Sequence, residues 1–330
     1  MNGSNNSVSV INKIPLPIHE HRVLFGCLYI TLPAVSFVLY SVVIFVFLKH
    51  KTFRALPCYW IMSTLGICDC FILLGEVGIG IIVLTGLNKD INVDKIHATL
   101  LTEKLRKELW VEKAILSLMS CGAMSACLMF PILAVNRLFT IIGIANLPPR
   151  LYILLMLISF LYIPIYELMA IFSDSGLLYI DYLLVPSMIP SEENRIFAKF
   201  EQYLSAVAYI STLIMYLILL VYLILKRLKM FTLNKKKLAP YEITILVQSV
   251  ITFVSGGTLL LISILGSDQT YAYLATQNIL MILHCGFLNP VMYLISNSEL
   301  RRVLKPKMFE KESTVVEAFS TDNSRKNSSR

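Results

Sequence analysis

Apolar residues run almost unbroken through seven stretches of the chain, at about residues 23–48, 56–86, 111–142, 151–172, 203–225, 241–265 and 273–296. A helix needs about 20 predominantly apolar residues to cross ~30 Å of hydrocarbon, and each stretch has that length. The polar residues collect between the stretches, which predicts seven membrane-spanning helices joined by solvated connections. Within the connection at residues 87–110, Leu100, Leu101, Leu105 and Leu109 recur at helical spacing, predicting a partly amphipathic helix there. The connection at 173–200 reads as a solvated loop, and Pro148-Pro149 predict the end of the third helix. Residues 1–22 are polar, and 305–330 are polar and poor in hydrophobes, as in a disordered tail. Three domains are therefore expected: an outer segment 1–22, a transmembrane domain 23–304 and a tail 305–330.

Composition agrees with this class. The chain has 330 residues, 56% hydrophobic and only 15% charged, with a mean hydropathy of +0.71. The formal net charge is +8, but the basic residues flank apolar runs instead of forming one face. Nucleic acid is not an expected partner; the lipid bilayer is. Of the 29 lysines and arginines, 19 fall on the side shared by the first, third and fifth connections and the tail, and 10 on the opposite side. The positive-inside rule then places the N-terminus outside. Asn2 and Asn5 open glycosylation sequons, usable on that side. All seven cysteines lie in or beside apolar runs, so no disulfide is expected. Of the five histidines only His284 is inside a span, which excludes an intramembrane three-histidine metal site and with it a membrane metallohydrolase.

Charged and helix-breaking residues inside apolar runs mark where chemistry is expected. The seventh stretch contains Asn289-Pro290-Val291-Met292-Tyr293. The proline loosens the helix, and Asn289 and Tyr293 are expected to satisfy the backbone groups it frees. Residues 296–304 form a short amphipathic basic segment suited to a membrane surface. Asp69 lies midway along the second stretch, with Glu76 two turns further on nearly the same face. The third stretch ends in Asn136-Arg137-Leu138. The sixth has Ser255-Gly256-Gly257, which either weaken the helix or let neighbours pack closely.

With Asn289-Pro290-x-x-Tyr293, Asp69 and Arg137 at matching spans and depths, the chain resembles the rhodopsin-like G-protein-coupled receptors. It departs from their pattern in several places. Asn136 replaces the acid before the arginine, the outer third-span cysteine is missing, and the fifth and sixth spans lack their prolines. In these departures it looks most like the nematode serpentine chemoreceptors. The resemblance implies an all-α seven-helix bundle, a small-molecule ligand, a heterotrimeric G protein as partner, and a plasma-membrane address, in sensory cells the cilium. No enzymatic activity and no cofactor are expected, apart from a sodium ion that the resemblance allows near Asp69 and Asn289. Arg137, with Asn136, Asn289, Pro290 and Tyr293, would form the coupling switch, and Glu242 is the acid placed to hold Arg137 at rest. Glu76, Met119 and His284 are candidates to line the ligand pocket, and Leu116 to Cys121 offer no carboxylate for an amine. The seventh span has no lysine, which excludes a retinal Schiff base there. A transporter or channel is the alternative, but seven unequal runs with one deep Asn-Pro break fit inverted repeats poorly.

Overall fold

In the computed structural model, residues 18–85, 103–143, 148–172, 177–180, 185–188, 192–232, 240–265 and 271–304 are described. Among them, six helices are long and apolar enough to cross a membrane, and a further helix, Pro240–Leu265, carries the apolar segment Val250–Leu259. They run in order as the first (Ile18–Lys49), second (Pro57–Thr85), third (Glu103–Ile142), fourth (Pro149–Phe172), fifth (Glu192–Thr232) and sixth (Pro240–Leu265) spans. The seventh is built from Tyr271–Ile282, Leu283–Leu288 and Asn289–Ser296. The architecture is a seven-helix bundle.

The bundle is inverted relative to a water-soluble core. Its polar residues Ser36, Asp69, Glu76, Ser125, Asn136, Arg137 and Asn289 are buried, whereas Ile153, Leu157, Leu161, Ile214 and Ile218 are more than 40% exposed. That distribution fits lipid as the surrounding solvent, because leucine gains nothing by leaving hydrocarbon while every polar group does. The second and third spans form the middle, with the first and fourth packed on either side. Glycine lets the two central helices touch backbone to backbone. A Cβ on Gly122 would lie 2.9 Å from Cys68 O and 3.1 Å from Ile72 N, and one on Gly75 would lie 2.9 Å from Met119 N.

Several elements differ from the pattern-based reading. The third helix begins at Glu103, so Leu105 and Leu109 belong to the same helix as the span, while Leu100 and Leu101 lie outside the described residues. The fifth helix begins at Glu192, well before residue 203, and much of the supposed loop at 173–200 is ordered. Within that stretch, Leu177–Ile180 pairs antiparallel with Val185–Met188, joining Leu177 to Met188 and Ile180 to Val185. Leu177–Ile180 is an apolar run of four, long enough for a hairpin strand. The third helix ends at Ile142 on Gly143, whose φ of 78° is the left-handed cap conformation, and its N–H reaches Phe139 O at 3.0 Å. Pro149 starts the following helix instead of ending the previous one. The sixth helix runs unbroken through Ser255-Gly256-Gly257; Gly256 lets Tyr209 and His284 pack closely, whereas a Cβ on Gly257 would meet nothing within 4 Å.

Pro290 acts on the turn before it. Residues Leu283–Leu288 adopt a π-helical turn, which widens the helix where the proline ring would strike the carbonyl four residues back. The side chains of Asn289 and Tyr293 turn to other spans, so the widened turn, not these two residues, accommodates the proline. Asn297 then leaves the helix, with φ −102° and ψ 99°, and its Oδ1 accepts from Leu300 N at 3.0 Å. This caps the helix Ser298–Leu304, which buries Leu300 and exposes Arg301 and Arg302, the amphipathic surface segment foreseen.

Candidate functional site

Asp69, from the middle of the second span, and Asn289, from the seventh, meet in the interior. Asn289 Nδ2 donates to Asp69 Oδ2 at 3.1 Å, and both residues are 2% exposed. Two further side chains complete the cluster. Tyr40 of the first span donates its hydroxyl to the same Asp69 oxygen, and Thr252 of the sixth donates to Asn289 Oδ1 at 3.2 Å. One polar cluster therefore ties four spans together, and a carboxyl that would be costly alone in hydrocarbon is hydrogen-bonded. Tyr40 and Thr252 were not singled out from the sequence, because hydroxyls within apolar runs carry no signal of which neighbour they face.

Sodium would need oxygen lone pairs turned inward around it. The two described partners of Asp69 Oδ2 instead present it with hydrogens. Among the described residues, no group of three or more His, Cys, Asp or Glu comes together. These residues fit a hydrogen-bonded carboxyl rather than a sodium shell.

Toward the end of the third span that carries Arg137, a cavity of about 20 Å³ is lined by Arg137, Tyr216, Gln248, Thr252, Asn289 and Tyr293, among others. That is room for about one water. It connects the Asp69 cluster to Arg137, itself 5% exposed. Arg137 also lies against the Cys58 thiol at the start of the second span. Asn136 is 2% exposed. The sixth and seventh spans are joined again below this cavity, where Ser296 Oγ donates to Gln248 Oε1 at 3.0 Å. An aromatic group of Phe47, Phe53, Tyr59 and Tyr293 closes that end, and Asn297 Nδ2 donates to Tyr59 Oη at 3.0 Å. Glu242 lies on the sixth helix, but its side chain is outside the described residues, as are Asn2 and Asn5.

The three pocket candidates are not brought into one place. Glu76 is fully buried and accepts from Asn278 Nδ2 at 3.3 Å. Its Oε1 has no partner among the described residues. Met119 is half-buried in the apolar cluster containing Tyr29, Leu116 and Ile282. His284 instead faces Ser255 of the sixth helix at 2.7 Å and lines a groove that includes neither Glu76 nor Met119. The half of the third span away from Arg137 does receive a carboxylate, delivered by its neighbour. Glu167 of the fourth span accepts from Ser117 Oγ at 2.6 Å and from Cys121 Sγ at 3.7 Å. The sequence displays Glu167 as an outer-end acid of the fourth span, but not the rotation that turns it onto the third. All seven cysteines are free.

No family model matches the sequence, and no curated protein sequence does. The fold is similar to that in a crystal structure of squid rhodopsin, with a TM-score of 0.66 at 12% identity, over 89% of this chain and 82% of that one. The bundle thus has the fold of rhodopsin.

Proposed function

We propose that this chain is a G-protein-coupled receptor, a chemosensory one of the nematode serpentine type, which binds a small molecule and activates a heterotrimeric G protein. The observation that carries the reading is the buried Tyr40–Asp69–Asn289–Thr252 cluster leading through a water-sized cavity to Arg137, within a rhodopsin-like bundle. A ligand shifts such a bundle only by binding one of its states better than the other. Hydrogen bonds that join four spans give those states something discrete to exchange.

In this reading residues 1–22 are extracellular and glycosylated at Asn2 and Asn5, 23–304 form the signalling domain, and 305–330 are a cytoplasmic tail. The receptor resides in the plasma membrane, in sensory cells at the cilium. The G protein meets Arg137 and Asn136 when the bundle opens, and Asn289, Pro290 and Tyr293 transmit the change. Glu242 holds Arg137 at rest from the inner end of the sixth span. Glu76 faces the ligand from the second span, apart from Met119 and His284, which lie elsewhere in the bundle. The receptor needs no cofactor.

Orientation is the first test. An epitope at residue 1 is expected to stain on intact cells, and one at residue 330 only after permeabilisation. The reverse pattern would turn Arg137 and the basic connections away from any G protein and end the reading.

A further inference from the structure

A groove of about 370 Å³ runs between the second and fourth spans, with Arg54 at its mouth. Its walls are single helix faces: Pro149, Tyr152, Met156 and Phe160 on one side, and Pro57, Trp60 and Thr64 on the other. Residues at that three- and four-residue spacing stack one above another. Both helices begin at the mouth, the end of the bundle at which Cys58 meets Arg137. From Pro149 to Phe160 the fourth helix rises roughly 16 Å. That is about half of the ~30 Å hydrocarbon thickness, the depth of one leaflet.

Inside the groove the polar groups are already engaged or covered. Thr64 Oγ1 donates to Met156 Sδ at 3.4 Å, and Trp60 Nε1 donates to Arg54 O at 2.9 Å. The Tyr152 hydroxyl is buried rather than open to the groove. Trp60, Ile153 and Leu157 also line it and are exposed on the outer surface of the bundle. In a bilayer such a groove is filled from the hydrocarbon, and with no polar group on offer its occupant is an apolar chain.

The mouth has the opposite character. Arg54 is exposed, and among the described residues it makes no ion pair. Its backbone is fixed from both sides. Phe53 before it is 2% exposed and packs on Phe47 and Tyr59, and the Arg54 carbonyl is held by Trp60. Arg150, also exposed, follows Pro149 at the same level. No Asp or Glu occurs between residues 49 and 68 or between 137 and 166, so the segments that form the groove carry cations without acids. A free guanidinium at the head of an apolar channel matches a phosphate on an alkyl tail.

We propose that this groove holds one anionic phospholipid, its phosphate on Arg54 and an acyl chain along Trp60, Met156 and Phe160. A net negative headgroup is favoured over a zwitterionic one because Arg54 and Arg150 stand together with no acid to offset them. With the N-terminus outside, the groove lies in the cytoplasmic leaflet, where anionic lipids are concentrated. The site requires only that the bundle span a bilayer, so it stands or falls apart from the receptor reading.

The chain's own fluorescence provides the test. It has two tryptophans, Trp60 in the groove and Trp110, exposed on the third helix. Trp110→Phe therefore leaves Trp60 as the single reporter. The purified full-length chain carrying it is placed in phosphatidylcholine nanodiscs with a small, equal fraction of dibrominated phosphatidylglycerol or dibrominated phosphatidylcholine. Bromine on an acyl chain quenches indole only at close range. For a roughly tenfold preference, about 1.4 kcal/mol, occupancy by the brominated lipid rises from about a tenth to about a half at a mole fraction of about 0.1. Quenching of Trp60 by the anionic lipid is then expected to exceed that by phosphatidylcholine roughly two- to fivefold. Arg54→Gln should abolish the excess and Arg54→Lys keep most of it. Arg302→Gln, which removes an exposed cation from the same end of the bundle outside the groove, should leave it unchanged. Equal quenching by the two lipids would overturn the proposal, as would an excess that survives Arg54→Gln or that Arg302→Gln removes to the same extent. Relief of the quenching by cholesterol but not by unbrominated phosphatidylglycerol would assign the groove to a sterol and overturn it as well.

Discussion

Replacing Asp69 with alanine would strand two donors at once. The Tyr40 hydroxyl and the Asn289 amide both point at Asp69 Oδ2, and their residues are 0% and 2% exposed, so water does not replace the lost acceptor. Each buried unpaired donor costs about 1–3 kcal/mol, which sums to roughly 2–6 kcal/mol before any cavity is counted. Asp69→Asn preserves the shape and one acceptor, so roughly 1–2 kcal/mol is expected, small enough to leave folding and surface expression largely intact. The two substitutions thus separate a structural loss from a functional one. Equilibrium unfolding in mixed detergent micelles would give the energies, with Tyr40→Phe completing a double-mutant cycle against Asp69→Asn. Contacting residues couple by about 0.5–3 kcal/mol, and independent ones add to within about 0.3–0.5 kcal/mol. Strict additivity would refute the shared hydrogen bond. A fall in surface expression that matches the fall in signalling for Asp69→Asn would show that the carboxyl holds the bundle together without taking part in the switch.

Packing and capping give further expectations. Gly122→Ala places a methyl 2.9 Å from Cys68 O, so it should destabilise by about 1–3 kcal/mol in the same unfolding measurement despite alanine's better helix propensity. Gly257→Ala meets nothing within 4 Å and should gain up to about 1 kcal/mol. Asn297→Ala removes the acceptor for Leu300 N and the bond to Tyr59. It should loosen Ser298–Leu304 by about 0.5–2 kcal/mol, read as faster proteolysis after residue 297, and an unchanged rate would contradict the cap. Glu242→Gln should raise ligand-independent signalling, since a resting-state pair worth about 1–3 kcal/mol changes populations roughly 5- to 150-fold. Basal signalling equal to that of the wild type would remove the lock.

The spans were legible because a bilayer imposes a length on every apolar run, and because each polar residue within one costs enough to be noticed. The Asp69–Asn289 contact was implied by the resemblance to the rhodopsin-like receptors, and the structure shows it. What depth does not encode is rotation about the helix axis. Glu167 is visibly an outer-half acid, yet only packing reveals that it serves Ser117 and Cys121 of the third span. Tyr40 and Thr252 were hidden for the same reason, as was the separation of His284 from Glu76 and Met119. The early start of the fifth helix at Glu192 was obscured by Glu192 and Glu193, which read as loop although acids are favourable in a helix's first turn. The π-helical turn has no composition of its own; Pro290 announces a disturbance, and the packing of the seventh span decides its form.

The account turns on whether Arg137 passes the state of the bundle to a G protein. The most direct measurement is guanine-nucleotide exchange on purified heterotrimers by the full-length chain in nanodiscs, with wild type and Arg137→Ala at equal amounts, across a panel of lipophilic small molecules. The account predicts that at least one compound accelerates exchange on the wild type, and that Arg137→Ala, folded and still binding that compound, fails to respond. Equal acceleration by Arg137→Ala would contradict it.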